Sequence, residues 1–240
     1  MKNLLRSGPG ILLLILIILN FTQGGLRDPK TYFLHMLLSL PAIVIGLSFH
    51  EFAHAFASHR LGDPTPERQG RITINPMAHF DPFGFLALVF CGFGWGIPVQ
   101  IDSRYYKHPR RDELIVSLAG ITMNIIIAFI FAFGVRCWLK LDPSLTLSLD
   151  NLKGMLLYMV ISVILINIML AVFNLLPVPP LDGFGVLTNI LDLRKYDWYY
   201  RLYNNGFLIL MILLISGVVD KVITPLTGGI YKFMLMNIIQ

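Results

Sequence analysis

Charge is scarce in this chain. Of its 240 residues only 14% are Asp, Glu, Lys or Arg, against about 25% in a soluble globular domain, and 55% are hydrophobic. Too little polar side chain is present to clothe a water-soluble fold, which leaves a membrane protein with several apolar spans. Such spans take ~20 residues each, so little of the chain remains for a regulatory domain, and a single integral membrane domain over residues 1–240 is expected. The net charge of +5 is dispersed over the loops between apolar runs. It reads as topology and contact with lipid headgroups, not as a nucleic-acid-binding surface. Cysteine is almost absent. Cys91 and Cys137 lie in or beside apolar segments without ligand spacing between them, so buried free thiols are expected in place of a disulfide framework or a thiolate metal site. Internal repeats, low-complexity tracts and glycine-rich nucleotide motifs are also missing.

What is present is a series of apolar segments with sharp punctuation. Residues 1–25 pair Lys2 and Arg6 with an apolar stretch from Ile11 to Phe21. No clean cleavage pattern comes after it, so this is read as a retained first span and not as a signal peptide. A second span covers about 32–57. The polar stretch after it contains Arg71-Ile72-Thr73-Ile74, whose alternation predicts a short strand. Residues 83–98 are apolar but carry Gly84, Gly92, Gly94, Gly96 and Pro98; this run is short for a span and reads as a re-entrant or hairpin segment, with an edge strand at Ile97–Ile101. Further spans are expected at 113–139, 155–176 and 205–219, the last one short, with its continuation toward the terminus left open. The expected fold is therefore an all-α polytopic membrane protein of about five to six transmembrane helices, with a small β-strand or re-entrant element near 71–101.

Near the end of the second span stands His50-Glu51-Phe52-Ala53-His54. Titratable groups are expensive in hydrocarbon, so their presence in a span is a functional signal. On a helix, positions i and i+4 share one face, and two imidazoles so placed can grip one metal ion. Glu51 follows the first imidazole, where a carboxylate can take a proton from a metal-activated water. A catalytic zinc has three protein ligands and an open position. Asp182 is the best third. It follows Pro177-Val178-Pro179-Pro180-Leu181, prolines that must break the preceding helix and free the carboxylate to turn inward; its plainer reading is a turn at a membrane boundary. Asn124 and Asn174 are amides in apolar surroundings. Interhelical hydrogen bonding and a role beside the ligands or on a substrate carbonyl both remain open for them.

Three motifs in order resemble the site-2 protease family of intramembrane zinc metalloproteases: the HExxH at 50–54, the asparagine-bearing span around Ala119-Gly120-Ile121-Thr122-Met123-Asn124, and Asn174-Leu175-Leu176-Pro177-Val178-Pro179-Pro180-Leu181-Asp182-Gly183. The stretch Gly70-Arg71-Ile72-Thr73-Ile74-Asn75-Pro76 through His79-Phe80-Asp81-Pro82 is similar to the small prokaryotic branch. The resemblance covers about residues 32–190, the expected catalytic core. It implies that His50, His54 and Asp182 bind one Zn2+ per chain, that Glu51 is the general base, and that Asn124 has a part in the site. It departs from the family at Ile121, where many members have proline. No PDZ-like or CBS-like segment is visible.

The implied activity is zinc-assisted hydrolysis of a peptide bond within the membrane. The substrate would be a transmembrane protein that must locally unwind to expose its carbonyl, received along the edge near 97–101 as an added strand. Asn124 or Asn174 would hold the developing oxyanion. The implied location is a prokaryotic cytoplasmic membrane, with the site nearer the cytoplasmic side because that is where Lys and Arg collect. Two rivals are a membrane metallopeptidase of another HExxH family and a non-catalytic zinc-holding scaffold.

Overall fold

The computed structural model describes residues 28–82, 84, 85 and 94–239, and among these the secondary structure is entirely helical. Four helices are long and apolar enough to cross a membrane. The first, α1 (Pro29–Arg60), starts at Asp28, whose carboxylate accepts the Thr31 amide, with Pro29 in the first turn. There the missing proline N–H costs nothing. A short α2 (Thr65–Arg68) comes next. The second membrane helix, α3 (Pro109–Leu141), also begins on a proline, and Asp112 accepts the His108 amide at 2.9 Å. The third, α4 (Leu152–Asn174), is capped by Asn151, which takes the Gly154 amide at 2.8 Å.

After a proline-rich turn the chain makes the short helices α5 (Asp182–Leu191), α6 (Asp197–Asn204) and α7 (Gly206–Ile215). The fourth membrane helix, α8 (Val218–Met234), continues through one π turn to Ile239. The expected span at 205–219 is thus replaced by ten residues of α7 and a separate span at 218–239. Gly217 sits between them at φ +70°, a left-handed conformation that glycine adopts without a Cβ penalty and that interrupts a right-handed helix.

In place of the expected five to six spans, the described residues hold four, and the predicted span within 1–25 lies outside them. The predicted strands are absent among the described residues, and the reason is where the backbone donors go. In the 71–75 stretch, Thr73 N–H turns back to Arg71 O at 2.9 Å and Asn75 N–H to Thr73 Oγ1 at 3.1 Å. In the 97–102 stretch, Ile97 N–H donates to His79 O at 2.9 Å, Val99 N–H to the Glu51 carboxylate at 2.9 Å, and Asp102 N–H to Asp63 at 2.7 Å. Side chains and backbone carbonyls outside any strand partner take these amides, so no ladder forms. Most of the expected re-entrant segment at 83–98 lies outside the described residues, as does Cys91. Cys137 is a free thiol on an exposed face of α3, not the buried one expected.

Helix association in lipid depends on close packing of small residues more than on apolarity. α3 offers a row at four-residue intervals, Gly120, Asn124, Ala128 and Ala132, all buried. α1 offers Ala42, Gly46 and His50, likewise buried and spaced by four. α3 runs antiparallel to α1, with Asn124 beside Gly46 and Val116 beside His54. α4 lies parallel to α1, and a Cβ on Gly46 would come within 2.6 Å of Leu170. α8 closes the core on the other side, where Met234 and Ile239 pack on Ala128, Ala132, Ile164 and Ile168. α5 doubles back along α3, tied by Arg110 to Asn189 O at 2.6 Å and, just past its end, by Arg194 to Glu113.

Candidate metal centre

The small-residue rows of α1 and α3 meet where the histidines are. His50 Nδ1 lies 2.6 Å from Asn124 Oδ1 and His54 Nδ1 lies 2.8 Å from Val116 O. A carbonyl oxygen can only accept, so each Nδ1 carries the proton and donates it. The orientation of the Asn124 amide is fixed by its surroundings, because its Nδ2 donates to Gly46 O at 3.1 Å and to Asn167 Oδ1 at 2.9 Å. Asn167 in turn donates to Val163 O at 2.8 Å. Both asparagines are fully buried, and this chain of amides runs from α1 through α3 to α4.

With both Nδ1 protons committed, neutral imidazoles present bare lone pairs at Nε2. These two atoms are 3.0 Å apart. Asp182, the first residue of α5, brings Oδ2 to 3.1 Å from one and 3.2 Å from the other. Oδ2 of Asp182 is buried without a hydrogen-bond donor. Three electron-pair donors facing one another at such distances repel unless a cation lies among them. A tetrahedral zinc with bonds of about 2.0–2.1 Å sets its ligand atoms about 3.3 Å apart, which these three atoms match closely. The donor set of two imidazoles and one carboxylate is one that zinc uses, and it fits.

The cluster opens into a cavity of about 330 Å³ bordered by His50, Glu51, Trp95, Asn174, Leu181 and Phe207, among others. Glu51 leaves the ligand face of α1, as its sequence position requires, and crosses toward the extended 94–102 segment, where Oε2 accepts Val99 N–H. Asn174 borders the same cavity while its Nδ2 donates to Leu170 O at 3.0 Å. The two asparagines left open by the sequence therefore differ. Asn124 spends its Oδ1 on His50 and both amide hydrogens on Gly46 and Asn167, so it has no donor left for a substrate. Asn174 faces the cavity. α3 runs unbroken through Ile121, so the missing family proline leaves Asn124 in reach of His50.

Sequence reasoning missed three contributors. Asn167 was visible only as a polar residue in a span. Gly120 lets α3 approach, since a Cβ there would lie 2.5 Å from both His50 Cε1 and His54 Nε2. Gly183 does the same for the turn bearing Asp182, where a Cβ would meet Leu175 O at 2.2 Å. A signal for Gly120 was available: it precedes Asn124 by four in an apolar span, the spacing of a close helix crossing.

Comparison with known proteins agrees with this geometry. The profile of Peptidase family M50 matches residues 38–216. The chain is 34% identical over 206 residues to the "Putative zinc metalloprotease YwhC" of Bacillus subtilis, covering 82% of this chain and 91% of that protein. It is 27% identical over 244 residues to the "Putative zinc metalloprotease Rip2" of Mycolicibacterium smegmatis, covering 97% and 90%. An archaeal relative, the "Putative zinc metalloprotease MJ0611" of Methanocaldococcus jannaschii, is 30% identical over 165 residues, or 66% of this chain and 73% of that one. No solved structure gives a significant match.

Proposed function

The chain belongs to peptidase family M50 and is a multi-pass intramembrane zinc metalloprotease, and from that premise we propose a division of labour in its site. His50, His54 and Asp182 hold a single Zn2+, and Glu51 is the general base. The observation that carries this reading is the convergence of two Nε2 atoms and Oδ2 within 3.0–3.2 Å while both Nδ1 protons point away to Asn124 and Val116. Zinc bound there supplies a Lewis acid that acidifies a water and polarises the scissile carbonyl.

Glu51 takes one proton from the attacking water and delivers it to the leaving amine as the C–N bond breaks. Val99 N–H on Oε2 fixes the carboxylate's rotamer, which leaves Oε1 to carry the proton. Asn124 holds His50 in the tautomer that keeps Nε2 bare, and Val116 does the same for His54. Asn174 is the group assigned to the oxyanion, through the amide hydrogen that Leu170 O does not take. The substrate is a membrane-embedded protein segment. The metal centre lies toward the end of α1 that carries His59 and Arg60, about 15 Å beyond His50 by helical rise. Arg68, Arg71, Arg104, Lys107, Arg110 and Arg111 gather on the same side, which the positive-inside rule makes cytoplasmic.

The test is metal analysis of the purified full chain beside a cleavage assay on a transmembrane substrate. One zinc per chain, lost together with activity in a chelator and regained with it on zinc addition, is expected. A metal-free chain that cleaves at the same rate would overturn the assignment.

A further inference from the structure

The cavity beside the metal centre has a neighbour across its apolar wall. Leu47, Gly94, Leu170 and Phe173 border it and also border a second cavity of about 160 Å³. That second cavity reaches the break between α7 and α8, and Asp220 is the one charged residue among the described residues lining it. The others are apolar or glycine, Ile43, Ile166, Met169 and Leu214 among them.

Asp220 stands at the level of residues from the middle of the bundle. The Ile43 and Ile166 that share its cavity lie near the middle of α1 and eight residues before the end of α4. A carboxylate among apolar cavity walls is costly and, where it occurs, has a use. Its place in the first turn of α8 gives it a favourable helix-end field, which offsets only part of that cost. Broken helices at membrane depth likewise border binding cavities, because interrupted backbone is tolerated there only against protein or water. Among the described residues no cation lies within salt-bridge distance of Asp220.

We propose that Asp220 is a specificity-determining residue. It receives a cationic or hydrogen-bond-donating side chain of the membrane-embedded substrate in the cavity next to the one at the metal centre. The inference rests on the proposed site reading and adds a register to it. Ile43 precedes His50 by seven residues on α1, about 10 Å at 1.5 Å per residue. An extended substrate covers that distance in about three residues. The favoured side chain should therefore stand about three positions to one side of the scissile bond.

The experiment uses the purified full chain with zinc and a set of apolar transmembrane substrates. Each substrate carries a single Lys or a single Glu, stepped through the positions around the cleaved bond. The expected result is a Lys-to-Glu ratio of kcat/KM above about ten at one position about three residues from the bond, and an inverted ratio there, below one, in Asp220→Lys. Two results would overturn the proposal: a ratio that Asp220→Lys leaves unchanged at every position, or a uniform loss across all substrates in Asp220→Asn, which would make the carboxylate a requirement of the fold. Glu51→Gln run in parallel separates the two readings. If it cleaves at the native rate, the general-base assignment fails while the Lys-to-Glu ratios still decide the role of Asp220.

Discussion

Two buried polar clusters grow from the same half of α1, and they are built on opposite principles. The first is at the helix end. Tyr106 OH is 2.7 Å from Ser58 Oγ, and Ser58 Oγ donates to Asp63 Oδ2 at 2.8 Å; serine has one proton to give, so Tyr106 donates to it. Asp63 also accepts the Thr65 amide at 2.8 Å and the Asp102 amide at 2.7 Å. Every contact here has a donor and an acceptor. The second cluster, His50, His54 and Asp182, has its protons turned outward and three lone pairs turned inward. A closed network joins the end of α1 to the segment before α3. An open one is held in shape by its surroundings, and its inward lone pairs suit a cation. Burial alone does not separate the two; the direction of the protons does.

The comparison is broken most severely at Glu51, which belongs to neither network. Glu51→Gln keeps the shape and loses the base, so cleavage should fall by a factor on the order of 10²–10⁴ with zinc still bound. Parallel zinc analysis and substrate cleavage read it, and near-native cleavage would remove Glu51 from its role.

Next in size is Asp182→Ala, which removes one corner of the open cluster. Zinc and activity should drop together. Asn174→Ala, on the cavity wall, should cut activity with less effect on zinc. Full zinc in the Asp182 variant would mean that some other group is the third ligand.

A smaller effect is expected where the protein holds the ligands and does not supply them. Asn124→Ala frees His50 to rotate, and Gly120→Ala sets a methyl 2.5 Å from both rings. Each should weaken zinc binding by about 10–100-fold, measured by competition with a chelator of known affinity. Unchanged affinity in both would mean that the ring orientations matter little.

The smallest effect belongs to the closed cluster. Asp63→Ala leaves two backbone amides and a hydroxyl without their acceptor and should cost about 1–3 kcal/mol of stability, with zinc content unchanged. Burial pushes the Asp63 carboxyl up, but the hydrogen bonds from Thr65, Asp102 and Ser58 outweigh it and leave it below its ordinary value of 3.8. Its stabilising contribution is therefore complete above the ordinary value and is lost as pH falls through the lowered one. Acid melting curves of the native chain and Asp63→Ala should converge below that point. Tyr106, which burial pushes up to about 12, keeps its proton throughout. A zinc loss in Asp63→Ala would show the two clusters to be coupled.

The membrane class, three of the four described spans and the HExxH pair were legible because they depend on local facts. Apolar run length reports a span, and i, i+4 spacing puts two rings on one face whatever else the chain does. Pro177, Pro179 and Pro180 marked the end of α4 for the same reason. The strands at 71–74 and 97–101 were misread because alternation records which side chains could share a face, not who takes the amides. Glu51 and His79 O, both distant in sequence, take the Val99 and Ile97 amides, while the Thr73 amide turns back to Arg71 O. The last span was misplaced because a single glycine at positive φ splits 205–216 from the helix beyond it, and hydropathy does not register a dihedral angle.

By itself the sequence determined the chemistry available: two imidazoles, a base beside them and a carboxylate released by prolines. Only the tertiary structure decided which nitrogen of each histidine stays bare, that Asn124 and not Asn174 steadies His50, and that Asp220 lines a cavity sharing a wall with the one beside the histidines. Proton direction and cavity lining depend on partners from three or four helices at once, and no local pattern along the chain encodes them.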